Sequence, residues 1–255
     1  MITIHSHQDF LGMRTAGACA AGILEYIEPF VVPGVTTETL NRLCHDKIIS
    51  GGAIPAPLNY RGFPKSICTS VNHVVCHGIP TEQKVLFDGD IINIDVTVIV
   101  EGWYGDCSKT YCVGKKTPIR AQKLVAVTYD AMMFGIEAVK PGEPLSAIGR
   151  AIQTYAESQG FTVVRDYCGH GIGKVFHAAP NILHYYDARE EALMQPGMFF
   201  TIEPMINAGG YETKLLKDGW TAVTKDHSLS AQFEHTIGVT ESGYEIFTLK
   251  NPSKH

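Results

Sequence analysis

The chain has 255 residues, 45% of them hydrophobic and 18% charged, the make-up of an ordinary soluble protein with a substantial core, which excludes intrinsic disorder. Its 21 Lys and Arg against 26 Asp and Glu leave a net charge of −5 with no basic run, which argues against a large nucleic-acid footprint. Seven cysteines, odd in number, dispersed and without a C-x-x-C pair, suit reduced thiols rather than a disulfide frame or a zinc knuckle.

In chain order, the amino end carries His5, His7 and Asp9 where a secretory leader needs a basic and then an apolar segment. No window is long enough to span a bilayer, so the chain reads as cytoplasmic. Residues 8–30 and 37–50 are predicted helices, the second with Leu40, Leu43, Cys44 and Ile48 on one stripe. In NIDVTVIVEGWYGDCSKTY, residues 93–111, apolar and polar residues alternate with the period of a strand, and Glu101-Gly102 is a plausible turn. That turn sets Asp106 opposite Thr97 and diagonal to Asp95, with both carboxylates on one face. Taken alone, the pair reads as a solvated outer face. Residues 119–139 and 145–159 form a second predicted helical pair. GHGIGKVFHAAP then brings His170 and His177 on a loop-like segment, GMFFTIEP ends an apolar strand on Glu203, and Glu234 alternates with Phe233 and His235 in QFEHTIGV.

The chain also carries an internal repeat. Val31-Val32-Pro33-Gly34 and Val139-Lys140-Pro141-Gly142 stand 108 residues apart, as do Gly52 and Gly160. GDIINID lies over GMFFTIE at the same offset, so Asp95 falls on Glu203. Several anchors in one order indicate duplicated α/β halves, which would bring equivalent strand ends together across a pseudo-twofold axis. Residues 89–100, 197–208 and 229–240 contain no Lys or Arg to pair with these acids. Four carboxylates with His170 make a ligand set of charge −4, which two divalent ions would balance. The metal reading therefore leads.

At this point a resemblance is specific. NIDVTVIVEGWYGDCSKTYCVG, GHGIGKVFHAAP, GMFFTIEPMI and AQFEHTIGV resemble, in order and spacing, the four signature segments of the type I methionine aminopeptidases in their short bacterial and organellar form, from about residue 5 to about residue 248. The resemblance implies an α/β (α+β) pita-bread fold, two pseudo-symmetric halves around a curved antiparallel sheet. It implies one catalytic domain over 1–255, with halves at about 8–115 and 116–248. It implies metal ligands Asp95, Asp106, His170, Glu203 and Glu234, of which Asp106 and Glu234 bridge two divalent ions, drawn from Mn²⁺, Fe²⁺, Co²⁺ or Zn²⁺. The implied reaction removes an amino-terminal methionine followed by a small residue. Two close cations acidify a bridging water into a nucleophile, and Glu203 is placed to take its proton.

His77 and His177 match residues that contact the scissile amide, and are expected as hydrogen-bond donors. Tyr60, Phe63, Cys68, Phe176 and Trp220 match positions lining a pocket for a thioether side chain, where polarizable sulfur suits aromatic edges and thiols. A monovalent cation held at Asn72, Val74 and Ser230 is a further implication. So are nascent polypeptide amino termini as partners, a transient ribosome contact, a monomeric state, and no membrane or dedicated nucleic-acid binding. Two other readings share the fold. Proline-specific peptidases usually carry an added amino-terminal domain, for which the ~30 residues before VVPG leave no room. A metal-free module binding peptide or RNA should have lost ligands.

Overall fold

The computed structural model describes residues 2–249. Helix α1 (Asp9–Ile27) begins where Asp9 accepts from both the backbone N–H and the hydroxyl of Ser6, and it buries Phe10, Met13, Ala16, Ala20, Ile23, Leu24 and Ile27 at helical spacing. The expected helix over 8–30 stops short because Pro29 lacks an N–H, and Glu28–Phe30 tightens into a 3₁₀ turn. Helix α2 (Thr37–Ser50) is capped by Thr36, whose hydroxyl accepts from Thr39 N–H at 3.1 Å. Helices α3 (Ile119–Glu137) and α4 (Ser146–Ser158) agree with the second predicted pair.

The first hairpin pairs Ile91–Val100 with Trp103–Cys112, and Thr97 stands opposite Asp106 as its turn residues require. Glu101 (φ 50°) and Gly102 (φ 82°) are both left-handed, the backbone of a two-residue hairpin turn whose twist matches the flanking strands. In the second half Phe199–Ile202 pairs antiparallel with His235–Val239, and Met205–Asn207 with Ser230–Gln232. All strand ladders among the described residues are antiparallel.

Backbone bonds recur at the offset of 108 residues. Isolated bridges join Thr36 to Val85 and Pro144 to Leu193, both partners moved by 108. Gly34 N–H donates to Leu86 O at 2.8 Å, and Gly142 N–H to Met194 O at 2.8 Å. The halves meet where Glu234 N–H donates to Ser108 O at 3.1 Å. On one side of that bridge the Thr110 hydroxyl donates to Gln232 O at 2.6 Å, and on the other the Thr236 hydroxyl donates to Asp106 O at 2.7 Å. One apolar cluster joins α1 and α2 to the first hairpin, and a second joins α3 and α4 to the strands of the other half.

Helix α1 lies so close to the first hairpin that a Cβ at Gly105 would overlap the Ala16 carbonyl, whereas one at Gly22 on the same helix meets nothing within 4 Å. Gly105→Ala is therefore expected to destabilise by about 1–3 kcal/mol, lowering Tm by about 2–12 °C at this chain length. Gly22→Ala should raise Tm by about 1–4 °C through helix propensity. Thermal melting of the two variants checks both signs.

Candidate metal centre

The four carboxylates reach one place from four strand positions. Asp95 pairs with Ser108 on one side and Cys68 on the other. The Asp106 carboxylate accepts from the Thr97 hydroxyl at 2.7 Å across the hairpin. Glu203 follows directly on Phe199–Ile202, and its carboxylate accepts from the Thr201 hydroxyl at 2.8 Å and from Gln232 Nε2 at 3.2 Å. Glu234 precedes His235–Val239.

His170 completes the set from the strand Gly169–Gly171. A Cβ at Gly169 would overlap Thr201 O and one at Gly171 would overlap Ala179 O, so the flanking glycines let this strand wedge between its neighbours. Its Nδ1 donates to Gly171 O at 3.1 Å, because a carbonyl can only accept. The ring proton is thereby placed on Nδ1 and the Nε2 lone pair is left free. Nε2 lies 3.7 Å from the Asp106 carboxylate and 3.6 Å from that of Glu203. Ligand atoms of Asp106, His170 and Glu234 all lie within 4.8 Å of one another.

The electrostatics call for a cation. Asp106 and Glu234 are each 3% exposed. Burial first, then the neighbouring acids, pushes both carboxyls well above the ordinary range. Burial likewise raises Asp95 to about 7 and Glu203 to about 8. Among the described residues no Lys or Arg is paired with any of them, and burial pushes His170 down to about 4, leaving it neutral. One oxygen of Asp95 is buried without any hydrogen-bond partner. Oxygen-rich, anionic and served by a single neutral imidazole, the donor set fits hard or borderline divalent ions.

A cavity of about 370 Å³ opens onto these groups. Tyr60, Phe63, Cys68, His77, Phe176, His177 and Trp220 line it together with all five candidate ligands. Phe63 meets Trp220 edge-on at 5.2 Å, and Tyr60 packs on Phe176 at 4.8 Å. The Tyr60 hydroxyl lies 3.0 Å from His177 Nδ1. His177 sits at an exposed rim with its ring 4.2 Å from that of His170, and desolvation followed by the nearby histidines lowers its pKa. His77 has a left-handed backbone (φ 56°), and burial lowers its pKa too. Away from the cavity, Ser230 N–H donates to Asn72 O at 2.8 Å, Val74 begins the strand Val74–Cys76, and the Ser230 hydroxyl is buried without a partner.

Sequence reasoning missed Thr201 and Gln232, although each stands two residues before a candidate ligand and so shares its strand face. It also missed Cys76, Cys168 and Met205 in the cavity wall, and His184, for which no local signal existed.

Comparison with known proteins agrees with this geometry. The profile of metallopeptidase family M24 matches residues 12–241. A methionine aminopeptidase of Rickettsia prowazekii is 61% identical over 254 residues, 99% of this chain and 97% of the relative. That of Escherichia coli K12 is 53% identical over 98% of this chain and 94% of its own. The crystal structure of the Rickettsia prowazekii methionine aminopeptidase superposes with a TM-score of 0.95, at 62% identity over 98% of this chain and 100% of the other. The chain belongs to metallopeptidase family M24, in its methionine aminopeptidase branch. Among the described residues no helix is long and apolar enough to cross a membrane.

Carboxyls raised by burial tie stability to pH. A folded pKa above the ordinary value of about 4 keeps the proton on in the folded chain, so metal-free protein loses stability as pH climbs through the values near 7 and 8 of Asp95 and Glu203. The buried neutral histidines act oppositely, but only below about pH 6.5. Metal-free Tm is therefore expected to fall between about pH 6.5 and pH 8.5, and saturating Mn²⁺ to abolish the fall. Melting curves with and without Mn²⁺ across that window check it; a flat metal-free curve would mean that the carboxylates are compensated by the protein alone.

Proposed function

We propose that this chain removes the amino-terminal methionine from peptides and nascent proteins by metal-dependent hydrolysis, with a small residue preferred in second place. The observation that carries this reading is one cavity in which five metal-ligating side chains meet a wall of aromatic rings and the thiol of Cys68. The relatives named above are called methionine aminopeptidases, and the sulfur and aromatic lining suits an unbranched thioether. Asp95, Asp106, His170, Glu203 and Glu234 would hold two divalent ions, and Mn²⁺, Fe²⁺, Co²⁺ and Zn²⁺ all suit such donors. A monovalent cation at Asn72, Val74 and Ser230 is supported by the unpartnered Ser230 hydroxyl. The enzyme acts as a monomer in the cytoplasm, with a transient ribosome contact.

When bound, the ions supply a nucleophile from water at neutral pH and polarise the scissile carbonyl. Glu203, whose carboxylate is steadied by Thr201 and Gln232, accepts the proton released on attack. With the Tyr60 O–H donating to His177 Nδ1, 3.0 Å away, the imidazole would carry its proton on Nε2 and present that nitrogen as a donor to the substrate carbonyl. His77, edge-on to Tyr167 and Trp220 in the cavity wall, donates to the amide. Phe63, Phe176 and Trp220 exclude water around the substrate's first side chain.

The test is hydrolysis of Met-Ala-Ser by metal-free protein reconstituted with each ion. Turnover should depend on added metal, and replacing Ala by Phe should lower kcat/KM by at least an order of magnitude; equal cleavage of the two peptides would overturn the account of the pocket. His177→Ala should lower kcat by roughly two to three powers of ten, the range for one oxyanion donor, with KM changing much less. Metal content and Tm on the same preparation separate this from a structural loss, since His177 lies outside the ligand set.

A further inference from the structure

We infer that His184, outside the ligand set, is a positioning residue for Glu203, whose backbone N–H it accepts on Nε2. The inference rests on the metal reading of Glu203 given above. Glu203 N–H lies beyond the last pair of its strand ladder, Ile202 with His235, and it donates to His184 Nε2 at 3.1 Å. Pro204 follows directly and restricts residue 203 to extended backbone. Thr201 and Gln232 then hold the two carboxylate oxygens. Backbone and carboxylate of this one residue are thus gripped separately, the backbone by Pro204 and His184 and the carboxylate by two side-chain donors.

His184 is fully buried, and accepting on Nε2 requires its proton to sit on Nδ1, a nitrogen that has no hydrogen-bond partner. A buried unpaired N–H is unfavourable, so an apolar side chain would serve the core better. What an apolar side chain lacks is the acceptor for Glu203. The segment bearing His184 is itself seated on α4: Tyr186 N–H donates to the Gln153 side chain at 2.8 Å, and a Cβ at Gly149 would overlap the Tyr185 carbonyl. Helix α4 therefore sets the imidazole, and the imidazole sets the backbone from which the Glu203 carboxylate projects. Partners one step removed from a metal in this way typically govern its affinity by 10–100-fold.

His184→Met and His184→Gln have nearly the same shape, but only the glutamine oxygen can accept the Glu203 N–H. Mn²⁺ binding to metal-free protein is measured by calorimetry, with Tm of each metal-free chain alongside. His184→Met is expected to weaken one of the Mn²⁺ sites by about 10–100-fold, and His184→Gln to recover most of that loss at a similar Tm. Met and Gln variants with equal Mn²⁺ affinity would overturn the inference and leave a core histidine. Wild-type protein that binds no Mn²⁺ would instead overturn the metal reading, and this inference with it. Nitrogen-15 NMR of the wild-type ring needs no variant: a proton on Nδ1 and none on Nε2 is expected, and a protonated Nε2 would sink the assignment.

Discussion

Negative charge buried without a basic neighbour is the constraint on which the rest of this structure depends. Four carboxylates and a neutral imidazole face one another, and no lysine or arginine pairs with any of the acids among the described residues. Such a cluster is costly in a folded chain on its own, because neither solvent nor counter-charge offsets the desolvation. The fold is arranged to hold it all the same. Gly169 and Gly171 let the His170 strand approach its neighbours, Gly105 lets α1 press on the hairpin that carries Asp95 and Asp106, and Thr97, Thr201 and Gln232 each aim a donor at a carboxylate oxygen. A centre held this firmly before any ion arrives loses little entropy on binding one.

The two stretches that repeat one another's backbone bonds contribute to that centre unequally. Up to the first strand of each hairpin the offset is 108, which pairs Asp95 with Glu203. For the returning strand it is 126: Val113 N–H donates to Asp90 O as Val239 N–H does to Met198 O, and the Thr110–Gln232 contact mirrors Thr236–Asp106. At that offset the counterpart of Asp106 is Gln232, and the counterpart of Glu234 is Ser108. Each half therefore supplies an acid from its first strand, but on the second strand the acid stands two residues further along in one half than in the other. The difference of 18 residues between the two offsets falls where the first half has a two-residue turn, within the stretch that includes 208–229. That stretch contains Trp220, which lines the cavity. The longer connection thus adds Trp220, edge-on to Phe63, to an aromatic wall that Tyr60, Phe63 and Phe176 supply from elsewhere in the chain.

Much of this was legible because local rules were strong. A two-residue turn fixes hairpin register without help from the rest of the chain, so Glu101-Gly102 sufficed to set Thr97 against Asp106. The helix ends were less so: α1 breaks at Pro29, which the apolar stripe runs past. Thr201 and Gln232 were readable in principle, since each lies two residues before an acid on the same strand face. The 126 offset was hidden because its anchors are hydroxyls bonding to carbonyls, Thr110 and Thr236, and such contacts leave no apolar pattern to align. His184 was invisible for a different reason: its partner is a backbone N–H, and nothing in a sequence marks which backbone groups lie beyond the end of a ladder.

The cavity has a hard end of carboxylates and a soft end of rings and sulfur, and Cys68 belongs to both. It pairs in register with Asp95 across adjacent strands, its thiol donates to the Asp95 carboxylate, and it lines the same cavity as Phe63 and Trp220. Burial with the acids behind it keeps that thiol protonated, with its pKa far above the ordinary value, so it acts as a polarizable surface rather than as a nucleophile. In the proposed reading a substrate whose reacting carbonyl lies at the carboxylates has its first side chain beginning at Cys68. Because strand register ties those two positions together, the distance from chemistry to side-chain recognition is set by backbone hydrogen bonds rather than by the rotamers of the lining residues. Specificity for the first residue and its removal are, on this view, two consequences of one antiparallel pairing.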